Sequence, residues 1–121
     1  HTRYWRDWSS DVCSSDLTGY ERSNLGELIS AAGTGVVADP RLEQNFFQRS
    51  DNIVFVQEGI VGQTLSTYNM HRDYHQVTDE ADTLDYEHME AAARACLVAV
   101  RAVVDGADSP SWKPGEPNLG R

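Results

Sequence analysis

The sequence predicts an α/β domain, and an incomplete one. Three observations carry this. Segments of helical and strand-like period alternate along the chain, in the order helix, short strand, helix, strand, long loop, helix. The strand candidates are fewer than the roughly five to six of an average sheet. The strongest element is a long amphipathic helix near the C-terminal end, entered through a polar loop from Tyr68 to Thr83.

Each element has its own signal. Leu25, Leu28 and Ile29 fall at i, i+3, i+4 spacing between Asn24 and Ala32, with Ser23 or Asn24 as cap and Gly33 as stop. Val36-Val37-Ala38 is a brief apolar run ended by Asp39-Pro40, which predicts a short strand. Ser50-Asp51 reads as a helix cap before Ile53, Val54, Phe55 and Val56, with Gly59 as the stop. The run from Ile60 to Thr67 is the better strand of its neighbourhood. The last helix runs from Asp85, its cap, to Asp105, and Gly106 closes it. Its predicted apolar stripe is Tyr86, Met89, Ala93, Cys96, Leu97, Val100, Val103 and Val104. Residues 107–121, rich in proline and glycine, read as a C-terminal tail.

Composition narrows the function classes. The chain has 121 residues, enough for one domain. A net charge of −9 argues against nucleic acid, whose phosphates call for basic residues, and against an anionic membrane surface. No apolar run approaches the roughly 18 residues of a membrane span. Two cysteines, Cys13 and Cys96, make no disulfide framework. Oligomeric state has no signature.

Residues 1–17 carry no hydrophobic period and no signal-peptide core. The run from Trp8 to Leu17 reads codon by codon as a translated sequencing-library adapter, and His1-Thr2-Arg3 fits its flank. The expected organisation is therefore a non-native tail over 1–17, a domain portion over 18–106, and the tail over 107–121. On this reading the true N-terminus, and any signal peptide, lie upstream.

The residues with most chemical potential lie in the polar loop. His75 follows a strand and precedes the carboxylate of Asp79, with Asp73 close on the other side. Imidazole is the commonest metal ligand, and a nearby carboxylate often receives its second N–H. By spacing alone, such a residue is an ordinary surface histidine in an acidic loop. His71 and His75 are four apart, but no helical pattern holds them on one face. His88 falls in the first turn of the last helix and is expected to face solvent. Cys96 lies on the apolar stripe and reads as a buried, inert thiol. Ser66 lacks the G-x-S-x-G context of a nucleophile elbow, and Gly33-Thr34-Gly35 lacks a dinucleotide fingerprint.

Three segments in order resemble the M28 family of zinc exopeptidases. Phe47-Gln48-Arg49-Ser50-Asp51-Asn52 is similar to its "RSDH" segment, Gly59-Ile60-Val61 to the turn that follows, and Tyr74-His75 through Asp85-Tyr86-Glu87-x-Met89 to "YHTPxDTxDxIDYExM". The resemblance spans roughly residues 19–115. It implies the C-terminal part of an α/β/α zinc-exopeptidase sandwich, a peptide substrate, two zinc ions in the parent enzyme, and a secreted or periplasmic location. By the same resemblance His75 is the last zinc ligand, Asp51 and Asp79 support the site, and Tyr74 lines the substrate pocket. Asn52 departs from the family's His, Val77 from its Pro, and Phe47 from a Tyr found in some members. The other ligands and the general base precede this segment in the family, so the chain alone is expected to be inactive. A non-catalytic peptidase-like module and a related zinc enzyme, such as a glutaminyl cyclase, remain the alternatives.

Overall fold

A computed structural model describes residues 15–66, 73 and 75–120 of the chain. The elements are β1 (Asp16–Leu17), α1 (Leu25–Ala31), β2 (Val37–Ala38), α2 (Asn52–Gln57), β3 (Leu65–Ser66) and α3 (Tyr86–Val104). Short 3-10 turns lie at Tyr20–Arg22, Leu42–Gln44, Phe46–Gln48 and Ala81–Thr83. The strands form one sheet in the order β2-β1-β3. β1 runs parallel to β2, with Leu17 opposite Ala38, and antiparallel to β3, with Leu17 opposite Leu65. The fold is mixed α/β, and α1 sits in the crossover that a parallel pair requires.

The packed chain starts at least as early as Ser15, three residues before the Thr18 boundary read from the sequence. Ser15 and Leu17 are buried, and β1 is the middle strand. Leu17 joins Ile29, Val36 and Ala99 in the core, with Tyr20, Leu25, Leu65 and Val103 packed around them. Residues 1–14 lie outside the described residues.

α1 follows its sequence signals with one exchange of roles. The Ser23 hydroxyl, not the Asn24 side chain, accepts the Leu25 amide at 3.1 Å. The Asn24 side chain accepts from the Ser111 amide instead, at 2.8 Å. Likewise α2 begins after Asp51 without any side-chain cap. Ser50 donates to the Phe46 carbonyl, and Gly59 ends the turn at φ +81°.

The strand expected over 60–67 shortens to Leu65–Ser66 among the described residues. Its partner explains this. After Leu17 the chain reaches Gly19 at φ +65° and turns away. The Gln63 side chain then takes over from a backbone ladder, donating to the carbonyls of Thr18 and Gly19 at 2.9 and 2.7 Å.

α3 keeps its expected bounds, and the Asp85 carboxylate caps it by accepting the His88 amide at 3.1 Å. Its buried face differs from the predicted stripe. Ala95 and Ala99 are buried, with Cys96 and Val103 half-buried, while Tyr86, Met89, Leu97, Val100 and Val104 are exposed. α1 packs against α3, where Ala99 meets Ile29 in the core and its small side chain lets the two helices approach. Cys96 is therefore a half-buried free thiol rather than a fully buried one. No described helix is long and apolar enough to cross a membrane.

The C-terminal segment is fastened along its length. Trp112 bridges to Ser23, its indole N–H donates to the Gly59 carbonyl at 2.9 Å, and its ring meets Phe47 edge-on at 6.3 Å. Arg22 stacks 4.6 Å over the Phe47 ring and donates to Glu116 at 2.9 Å and the Asn118 carbonyl at 2.7 Å.

Candidate metal centre around His75

β3 leads toward the loop that carries His75, and the loop's far end enters α3 at the buried Asp85. Residues 67–72 and Tyr74 lie outside the described residues, so the assignments to His71 and Tyr74 fall there. From Asp73 onward the loop is stitched by short-range bonds. The Gln76 amide donates to the Asp73 carbonyl at 2.8 Å, and the Asp79 amide to the Gln76 carbonyl at 3.1 Å. Thr78 donates its hydroxyl to the Asp73 carboxylate at 2.7 Å.

His75 occupies the third position of the turn closed by Asp73 and Gln76, and its φ is +59°. That position at positive φ is where type II turns ordinarily place glycine or asparagine. The residue is exposed, whereas Asp73 beside it is only 6% exposed. Asp79 is exposed and contributes its amide to the loop. Asp51 stands on a different element, exposed at the start of α2, where its carbonyl accepts the Val54 amide at 3.3 Å. The structure thus gathers Asp73, His75, Thr78 and Asp79 into one loop and leaves Asp51 on another element. His88 is half-buried rather than solvent-facing.

The residue that departs from the expected motif has a defined role. The Asn52 amide nitrogen donates to the Phe47 carbonyl at 3.0 Å and the Gly62 carbonyl at 3.1 Å. Its side-chain oxygen accepts the Thr64 hydroxyl at 3.2 Å. Asn52 so joins the start of α2 to the segment that becomes β3. Gln63 adds a second tie, since its oxygen accepts from the Ser23 hydroxyl while its nitrogen holds Thr18 and Gly19. Sequence reasoning missed both roles. The only signal was Asn52 standing where a histidine was expected.

On the middle strand β1, Asp16 lies beside Arg41, with 3.3 Å between carboxylate and guanidinium. Burial pushes the Asp16 carboxyl above the usual carboxylate range, and the Arg41 hydrogen bond and charge oppose that rise.

A catalytic zinc ordinarily takes about three protein ligands. Among the described residues no group of three or more His, Cys, Asp or Glu side chains converges. His75 offers one exposed imidazole on a constrained turn, which fits a single corner of such a site. The described residues do not complete a zinc site, and no catalytic step follows from them alone.

The chain is a mixed α/β domain that carries these ordered motifs, with His75 on an exposed loop. The sequence model of peptidase family M28 matches residues 9–100, and the chain belongs to that family. The match takes in the Arg49-Ser50-Asp51 segment, the Gly59-Ile60-Val61 turn, the His75 loop and α3 as far as Val100. No curated protein and no solved structure matches the chain.

Proposed function

We propose that this chain is the C-terminal part of a zinc-dependent aminopeptidase that hydrolyses N-terminal peptide bonds within an α/β/α sandwich. The M28 match over residues 9–100 carries this reading, because it contains every motif on which the resemblance rests. In this reading two zinc ions in the parent activate water for attack on the peptide carbonyl. His75 supplies one imidazole to that site from its exposed turn. Asp51, Tyr74 and Asp79 support the site or line the substrate pocket. The parent acts on peptides, and its location is secreted or periplasmic.

The test is a parent protein carrying the upstream sequence. Its zinc content by mass spectrometry should be two per chain, falling toward one in His75→Ala. It should release N-terminal residues from aminoacyl anilides. A parent holding zinc but cyclising N-terminal glutamine instead would be a cyclase. A parent holding none would be a non-catalytic module, and the aminopeptidase reading would fail.

A further inference from the structure

His75 pays a conformational cost that its neighbours could spare it. A non-glycine residue at φ +59° is uncommon and strained, and such strain persists only where surrounding contacts enforce it. Two hydrogen bonds hold this turn. The turn closes from the Gln76 amide to the Asp73 carbonyl, and the same Asp73 is pinned through its carboxylate by the Thr78 hydroxyl. Asp73 is buried although it lies in a loop whose other described residues, from His75 to Glu80, are exposed. Its side chain therefore works inward, as an anchor, while the residue two positions on, His75, is exposed.

We propose that Asp73 and Thr78 form a clamp that holds residue 75 in the left-handed conformation and so sets the position of the His75 imidazole. Asp73 and Thr78 are positioning residues: they act on His75 and through it. The purpose assigned to the clamp rests on the reading of His75 as a zinc ligand. Its geometry does not, and it operates with no metal present.

The experiment compares glycine with alanine at position 75, on the full chain in the presence of a chelator. Alanine keeps the strain of a left-handed residue and glycine relieves it. With the clamp intact, His75→Gly melts above His75→Ala, by about 3 °C. With Asp73→Ala in the background, residue 75 leaves the left-handed region. Glycine then confers only its extra freedom in the unfolded chain, so the order inverts and glycine melts below alanine. Thr78→Val, a change at an exposed residue, inverts the order in the same way and serves if Asp73→Ala does not fold. Asp73→Asn retains a carbonyl acceptor for the Thr78 hydroxyl, and Thr78→Ser retains the donor; both keep glycine above alanine. A merely structural Asp73 would lower both melting temperatures together and leave their order unchanged, which would overturn the clamp. Zinc loss in the parent bears on the ligand reading alone, so the two failures are separable.

Discussion

Around Gln63 the chain is held by side-chain bonds to residues 40 to 45 positions away, whereas the bonds shaping the 73–80 loop close over five positions or fewer. The first kind ties distant segments together, so its loss is coupled to wider opening of the fold. The second kind can open alone, and loops that bind ligands are drawn from that low-stability end. The molecule keeps a long-range scaffold under α2 and β3 and hangs from it a locally knotted turn bearing His75.

The largest blow to the scaffold should come from Gly19→Ala. Gly19 sits at φ +65°, and an added Cβ would press into the Phe47 ring that Arg22 and Trp112 also hold. Left-handed strain plus overpacking should cost about 3 kcal/mol, measured by urea unfolding. A loss within experimental error of zero would mean that the Gly19 turn is not part of the cooperative unit. Next comes Gln63→Leu, which keeps the bulk and deletes the donors to Thr18 and Gly19 and the acceptor for Ser23. We expect about 2 kcal/mol from partly buried partners left without it. Amide exchange should quicken across β1 and β3 together. Faster exchange in β3 alone would show that the scaffold is not one unit.

The smallest change is Asp85→Ala, on the local side of the comparison. Removing the α3 cap should cost about 1 kcal/mol. Exchange should quicken at His88 and the first helical turn, while the Thr18 amide, bonded to the Thr64 carbonyl at 3.0 Å, keeps its protection. Equal loss at both places would erase the distinction between scaffold and loop.

Much of this was legible in the sequence. Leu25, Leu28 and Ile29 marked α1, Asp85 marked the start of α3, and Gly33 and Gly59 marked helix ends; all are local signals. The ordered motifs led to the family. The α3 stripe was legible in part: Cys96 and Val103 are half-buried and Val103 packs on the core, but periodicity did not show that Ala95 and Ala99 beside them would be the buried residues. Ala99 joins Ile29 of α1 in the core because a small side chain allows close approach, an advantage that exists only once the partner helix is in place. The 60–67 strand was overdrawn because its length depended on where β1 ends, at a glycine more than 40 residues earlier.

The site divides in the same way. His75 was visible as a residue type in a motif, and Asp73 and Asp79 as its neighbours. The left-handed turn beneath His75, the inward carboxylate of Asp73, and the ties made by Asn52 and Gln63 were not visible. Sequence by itself determined where helices begin and end, which residues could ligate a metal, and which family the motifs belong to, since these follow from propensity, spacing and residue chemistry among near neighbours. Tertiary structure alone decided which helix face is buried, how far each strand pairs, and what each amide and carboxylate holds. A side-chain hydrogen bond needs a partner at about 3 Å; for Gln63 those partners arrive from remote parts of the chain, and for Asn52 from the far side of the turn between α2 and β3.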